Sequence, residues 1–220
     1  MSEITGTTKL ACLLGSPVSH SISPLIHNFS FQYLGIDCTY LAFDINEQTL
    51  KEAVEGLKAL HVLGFNLTMP NKNKILEYLD GLSDAARLIG AVNTVENRDG
   101  RLIGHNTDGL GFMHSVREQG IQMEGQTMTL MGIGGAATAI CAQAALDGVK
   151  NIHIFARSTS SHLPRIRKLA ADLEKETSCA IFLHDIRDLN TLKSAMKESR
   201  LFVNATSVGM APDTQGCILP

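Results

Sequence analysis

The sequence predicts an α/β fold. Apolar runs of strand length alternate with amphipathic stretches of helix length, no internal repeat or low-complexity linker interrupts them, and glycine or proline marks many of the element ends. With 220 residues, 44% of them apolar and 19% charged, the chain is long and apolar enough to bury a core. Its length fits one large domain or two small ones and excludes disorder as the main state.

The elements follow in order. A strand over Lys9 to Leu14 runs through a Gly/Ser/Pro loop into a helix with Ser23 as N-cap and Pro24 in its first position. Leu25, Ile26, Phe29 and Tyr33 give that helix one apolar face, and Gly35 ends it. Tyr40 to Phe43 reads as a strand and Thr49 to Leu60 as a helix; Gly64 to Met69 is a strand stopped by Pro70. A helix from about Asn73 to Leu79 comes next. Ala91 to Val95 and Leu102 to His105 then flank a turn at Asp99 and Gly100, which is the pattern of a hairpin. A helix over Leu110 to Gln119 leads to the apolar strand Thr127 to Met131, and the domain boundary is placed in that helix, dividing 1–112 from 113–220. Met69, Met113, Met123, Met128, Met131 and Met196 read as core or strand filler.

Composition excludes several functional classes. The 19 Lys and Arg against 22 Asp and Glu leave a net charge of −3, with no basic run to meet a nucleic-acid backbone or an anionic membrane surface. No apolar stretch reaches the roughly 20 residues of a membrane span. The five cysteines are odd in number, widely spaced and never CxxC, which points to thiols in a reducing, cytoplasmic compartment and away from disulfide or zinc scaffolds. The eight histidines show no ligand spacing with a carboxylate, so no metal site is expected. His20, in a serine-rich loop, is the one worth probing, and it reads as orienting that loop and not as transferring a proton.

The second half carries a nucleotide signature. Gly132-Ile133-Gly134-Gly135-Ala136-Ala137 lies between a strand and a helix reaching about Leu146, with Gly148 as its stop and a further strand at Ile152 to Phe155. In such a βαβ unit the first glycine permits the tight turn and the second lets the backbone approach a pyrophosphate. The small third residue allows close helix packing, and the helix N-terminus offers free N–H groups. The second strand ends without the acid that selects a free ribose 2′-hydroxyl. The chain instead reads Ala156-Arg157-Ser158-Thr159-Ser160-Ser161, whose guanidinium and hydroxyls suit a 2′-phosphate, and hence NADP, or form a solvated serine-rich turn.

In the first half the polar loops His20 to Pro24, Asn66 to Lys72, Ala91 to Thr94 and Asn106 to Gly109 all fall at strand ends, where an α/β sheet gathers its ligand contacts. Uncharged hydroxyls and amides suit a polyhydroxylated small molecule. Lys72 and Asp108 are the pair able to carry chemistry, because reducing a ketone requires a proton on oxygen as hydride reaches carbon. An ammonium held by a carboxylate provides it. From spacing alone, Lys72 can equally be an exposed helix-start lysine and Asp108 an N-cap.

Taken in order, GSPVSHSISPLIHN, FNLTMPNK, GAVNT, GHNTDGLGF, GIGGAATAI and NATSVGM resemble the shikimate dehydrogenase family, at matching spacing over essentially the whole chain. The resemblance implies an N-terminal α/β substrate domain and a Rossmann-like, doubly wound nucleotide-binding domain around a cleft. It implies NADP-linked interconversion of 3-dehydroshikimate and shikimate by a monomer or homodimer. It puts Lys72 and Asp108 in the catalytic pair, and Ser21, Ser23, Tyr40, Thr68, Asn93, Lys72 and Asp108 on the substrate. Gly132, Ile133, Gly134, Gly135 and Ala136 fall on the pyrophosphate, Ala156, Arg157, Ser158 and Thr159 near the adenosine ribose, and Thr206, Ser207 and Met210 near the nicotinamide.

CTYLAFDI, EGLKAL and MPNK look closer to the family branch that also accepts quinate and often uses NAD, so an NAD-preferring quinate/shikimate dehydrogenase is the alternative. The family's Asn-Arg-Thr or Asn-Arg-Arg-Asp stretch is Ala156-Arg157-Ser158-Thr159 here, which leaves NAD possible. The chain ends at Cys217-Ile218-Leu219-Pro220, where family members continue with a helix that returns a Gln to the substrate. The chain therefore reads as C-terminally shortened, and a shikimate-binding regulatory module without catalysis is a further alternative.

Overall fold

The alternation resolves, in a computed structural model describing residues 4–219, into two compact units, 1–107 and 108–220. In the first unit β1 (Lys9–Gly15), α1 (Ser23–Leu34), β2 (Cys38–Asp44), α2 (Leu50–Ala59) and β3 (Gly64–Leu67) form two consecutive βαβ turns. A 3-10 turn (Lys74–Tyr78), β4 (Gly81–Leu82), α3 (Asp84–Ile89), β5 (Thr94–Arg98) and β6 (Arg101–His105) complete it. The sheet order is β2-β1-β3-β5-β6-β4. β1 runs parallel to β2 and β3, while β5 is antiparallel to both its neighbours.

The reversal of β5 matters for the site. Its register sets Thr94 against Asn66 and against His105, so the start of β5 lies at the same sheet edge as the ends of β3 and β6. The hairpin turn is the expected Asp99-Gly100, both at positive φ (51° and 87°), the geometry of a tight two-residue connection. β5 itself begins at Thr94 and not at Ala91, because Val92 N–H is spent on Lys72 O (2.8 Å) and Asn93 N–H on His105 O (3.0 Å). Thr68 and Met69 likewise leave β3: Thr68 carbonyl turns to accept Asn71 N–H (3.0 Å).

The expected helix over Asn73 to Leu79 is a 3-10 turn of five residues. It is short because only Ile75 is buried; Lys74 and Glu77, eclipsed at i and i+3, form an exposed 2.7 Å ion pair. A helix that the periodicity did not signal, α3, is capped by Ser83 Oγ, which accepts Ala86 N–H (3.3 Å), and is closed by Gly90 at φ 66°.

α1 and α2 pack in opposite senses. Along α2, Leu50, Val54 and Leu57 point into the core. In α1 the expected apolar face exists but faces away from the sheet: Leu25, Ile26, Phe29 and Tyr33 are all more than half exposed. The inner side instead carries His27, stacked on the Tyr40 ring at 4.3 Å, with Asn28 and Phe31. β2 is an edge strand, and Asn28 meets its open backbone with both ends of its amide: Tyr40 N–H donates to Oδ1 (2.8 Å) and Nδ2 donates to Tyr40 O (2.9 Å). Backbone groups left unpaired in a half-buried place are costly, so this double bond fixes the rotation of the helix. The helix starts at Ser23 after Ile22, not with Ser23 as its cap, since Ser21 Oγ already accepts Ser23 N–H (3.2 Å).

The second unit begins with α4 (Asp108–Glu118), so the chain divides before this helix and not within it at 112/113. It continues through β7 (Thr127–Met131), α5 (Gly135–Leu146), β8 (Asn151–Ala156), α6 (Leu163–Glu176), β9 (Ala180–Asp185), α7 (Leu189–Glu198) and β10 (Leu201–Asn204). The four strands are parallel in the order β10-β7-β8-β9, which is the nucleotide-binding order with its switch point between β7 and β10. α5 is buried on nearly every side and built of alanines for that reason. Gly109 explains why α4 belongs with it: a Cβ there would collide with Ala139 O on α5.

Four cysteines, Cys12, Cys38, Cys141 and Cys179, are buried free thiols, while Cys217 is exposed. Burial pushes Cys12 up to about 12 and Cys179 up to about 11.

Replacing Asn28 by alanine should lower unfolding free energy by about 1–3 kcal/mol, as two edge groups lose their partner. Urea denaturation of Asn28→Ala beside the exposed control Gln32→Ala measures it; equal stability would remove Asn28 as the clamp.

Candidate functional site

In the first unit the expected site residues gather on one sheet edge around Asn66, which opens the expected polar loop Asn66 to Lys72 but had no individual role there. Its Oδ1 accepts the Tyr40 hydroxyl (2.8 Å), and its Nδ2 donates to Asn93 O (3.2 Å) and Thr94 Oγ1 (3.0 Å). Tyr40 comes from β2 and reaches past β1, where the register sets Leu13 beside Asn66. Asn93 in turn takes Thr107 N–H on Oδ1 (2.9 Å) and donates from Nδ2 to Thr107 Oγ1 (3.0 Å). The chain of polar side chains thus joins β2, β3, the start of β5 and the end of β6. Tyr40 is 2% exposed, and its hydroxyl titrates well above the usual phenol because burial disfavours the phenolate. The signal for Asn66 was its place at the end of β3 between Tyr40 and Thr94, legible only once the pairing is known.

Thr68 and Lys72 sit on the turn that leaves β3. Asn71, fully buried, anchors it by donating Nδ2 to Ile45 O (2.7 Å), and Lys72 O accepts Val92 N–H, so the backbone on both sides of Lys72 is held while its side chain is half exposed. Met69, expected as filler, is 76% exposed on this turn. Ser21 and Ser23 are half-buried at the entrance to α1, and His20 beside them is exposed. Asp108 is the first residue of α4 and belongs to the second unit, immediately after Thr107.

The second unit holds a pocket of about 410 Å³ over the carboxyl ends of its strands, beside the N-terminus of α5. It brings together Gly132, Ile133, Gly134, Ala156, Arg157, Thr206 and Ser207 of the expected set. Gly135 and Ala136, on the first turn of α5, and Ser158, Thr159 and Met210 are exposed and do not line it. Ser160, from the serine-rich stretch expected to meet a 2′-phosphate, lines it too, and His162, Ile186 and Val208 line it without having been expected as site residues. Ile186 arrives on the segment after β9, where no motif announced it.

The residues fit a dinucleotide. Gly132 stands at φ 105°, and a Cβ on it would lie 2.8 Å from Ala205 O, so only glycine makes this turn. Apart from their chain neighbours and the helix's own backbone, Gly134 and Gly135 have nothing within 4 Å of where a Cβ would be, which leaves open room against the helix N-terminus, where N–H groups favour an anion. Beside the pocket Arg187 grips Asp185 in a two-pronged pair (3.0 and 2.9 Å) and donates to Ser158 Oγ (3.0 Å). The guanidinium holds the Asp185 carboxyl well below the usual carboxylate range. Among the described residues no group of three His, Cys, Asp or Glu side chains is arranged to hold a metal ion, and no helix is long and apolar enough to cross a membrane.

Comparison with known proteins agrees with this geometry. The family described as shikimate dehydrogenase substrate binding domain matches residues 13–95. Shikimate dehydrogenase (NADP(+)) of Listeria monocytogenes serotype 4b (strain F2365) is 48% identical over 218 residues, covering 99% of this chain and 75% of that protein. The crystal structure of shikimate 5-dehydrogenase from Listeria monocytogenes in complex with shikimate and NAD superposes with a TM-score of 0.96 at 47% identity, over 100% of this chain and 76% of that one. The ligand-free 5-ketofructose reductase of Gluconobacter sp. strain CHM43 is more distant, at TM-score 0.82 and 30% identity over 93% of this chain and 71% of that one. With half its residues identical over almost its whole length, and the substrate-domain and glycine-turn motifs both in place, the chain belongs to the shikimate dehydrogenase family.

Proposed function

We propose that the chain is an NADP-linked shikimate dehydrogenase, an oxidoreductase that interconverts 3-dehydroshikimate and shikimate. The observation that carries the reading is the polar edge of the first unit, where Tyr40, Asn66, Asn93, Thr94 and Thr107 are pre-bonded into one surface of hydroxyls and amides. A ring with several hydroxyls and a carboxylate finds partners there without displacing a charge.

In this reading Ser21, Ser23, Thr68 and Asn93 take the substrate's hydroxyls and carboxylate, and Tyr40 closes the pocket floor through Asn66. Lys72 delivers the proton to the carbonyl oxygen of 3-dehydroshikimate, and Asp108 is its partner in the catalytic pair and holds the neighbouring hydroxyl. When bound, NADPH supplies the hydride to the same carbonyl carbon. A positioned proton donor contributes on the order of 10²–10⁴ in rate. Gly132, Ile133, Gly134, Gly135 and Ala136 hold the pyrophosphate, and Thr206, Ser207 and Met210 border the nicotinamide.

Arg157, with Ala156, Ser158, Thr159 and Ser160, forms the adenosine end. Asp185, linked to this loop through Arg187 and Ser158, is paired with the Arg187 guanidinium, so it does not oppose a 2′-phosphate. That favours NADP over NAD. The buried free thiols accord with a reducing, cytoplasmic setting.

Lys72→Ala should lower turnover of shikimate with NADP at least about a hundredfold while the thermal midpoint stays within a few degrees; unchanged turnover removes Lys72 from the mechanism. Steady-state kinetics on shikimate and quinate with each cofactor test the substrate and cofactor together. Dominant turnover of quinate with NAD would replace this reading by the quinate branch, and shikimate-dependent stabilisation without NADPH formation would leave a binding module. Arg157→Ala should raise the KM for NADP about tenfold or more and leave that for NAD nearly unchanged. Asn66→Ala should raise the KM for shikimate severalfold and lower unfolding free energy by about 1–3 kcal/mol, because Tyr40 and Thr94 lose a buried partner.

A further inference from the structure

Arg187 is a surface arginine held by more bonds than its position requires. It follows β9, whereas a dinucleotide-binding unit ordinarily meets the adenosine ribose from the end of its second strand, here β8. The register brings the two together. Ala156 pairs with Asp185, and Ile186 N–H donates to Ala156 O (2.9 Å), so the segment after β9 and the loop after β8 leave the sheet side by side. Ile186 and Arg157 line the same pocket.

The guanidinium is fixed on two of its three nitrogens. Nε donates to Asp185 Oδ1 (3.0 Å), and Nη2 donates both to Asp185 Oδ2 (2.9 Å) and to Ser158 Oγ (3.0 Å). The backbone N–H of Arg187 also donates to Asp185 Oδ1 (2.9 Å). The side chain is 79% exposed, and an ion pair so exposed adds little to stability. What the pairing does is hold the planar fork in one orientation between the two segments. The two N–H groups of Nη1 have no protein acceptor among the described residues. Ser158 accepts the bond from Nη2 and keeps its own O–H proton to donate. Around them the loop over 157–162 carries Arg157 and four hydroxyl side chains and no Asp or Glu.

We propose that Arg187 is a second specificity residue for NADP: its Nη1 and the hydroxyl of Ser158 take the ribose 2′-phosphate together with Arg157. This assignment rests on the pocket of the second unit being the cofactor site. A phosphate dianion presents several acceptor oxygens, which a planar fork of donors matches better than a point charge does. Asp185 is the positioning residue. It is satisfied by Nε and Nη2, so the phosphate reaches Nη1 without breaking the pair. A free ribose 2′-hydroxyl carries no charge and gains little from either guanidinium, so the arrangement acts on the choice of cofactor and not on dinucleotides in general.

Isothermal titration calorimetry of the intact chain with 2′,5′-ADP and with 5′-AMP tests this, because the two probes differ only in the 2′-phosphate. Arg187→Ala should weaken 2′,5′-ADP about tenfold or more and leave 5′-AMP within about twofold. Removing Arg187 also leaves Asp185 without its partner, so Asp185→Asn and the double variant Asp185→Asn with Arg187→Ala separate contact from neutralisation. The double variant should bind 2′,5′-ADP about tenfold more weakly than Asp185→Asn alone. Equal binding by those two would make Arg187 a neutraliser of Asp185 only and overturn the proposal. Unchanged affinity of Arg187→Ala for 2′,5′-ADP, or an equal loss for both probes, overturns it as well and leaves the NADP reading standing where wild type prefers 2′,5′-ADP. A wild type that binds both probes alike overturns the proposal and the NADP reading together.

Discussion

The amide of Asn66 serves as acceptor for one strand and donor for another, and the first unit's polar edge depends on it. Tyr40 comes from β2 and Asn93 and Thr94 from the start of β5, yet each is tied to this one side chain. A buried phenol needs a partner for its hydroxyl, and a threonine at a strand start needs a reason to keep one rotamer. Asn66 meets both needs at once. The cost of ordering these side chains is thereby met at folding, before any ligand arrives, which is the condition for a pre-organised site.

The second unit solves a different problem, that of bringing backbone close to an anion. Gly132 takes a turn no other residue can take, and the alanines of α5 let the helix lie almost wholly inside the unit, with its N-terminal N–H groups at the pocket. Gly109 extends the principle to α4, which approaches α5 until a single methyl would collide with a carbonyl. Absent side chains, more than present ones, shape this half of the molecule.

These two logics were unequally legible. The glycine turn, its flanking strand and helix, and the Asp99-Gly100 hairpin are local patterns, and a local pattern survives in sequence. The ends of β3 and β5 were blurred because Thr68, Met69 and Ala91 to Asn93 look extended, while their backbone groups bond to distant segments. Asn66 was legible only as the first residue of a polar loop, and Ile186 not at all, because their roles are created by strand pairing. The apolar face of α1 was visible, but which way it pointed was decided by an asparagine bond to an edge strand 12 residues away. Periodicity reports that a stripe exists; tertiary hydrogen bonding decides what covers it.

The distribution of sulfur has a practical corollary. Cys12, Cys38, Cys141 and Cys179 lie inside the fold with thiolates disfavoured by burial, whereas Cys217 stands in solvent. Reactivity toward alkylating reagents follows access and thiolate population. The native protein therefore offers a single attachment point for a fluorophore or spin label, near the carboxyl end, and stepwise loss of the other four from reserve marks global opening of the two cores.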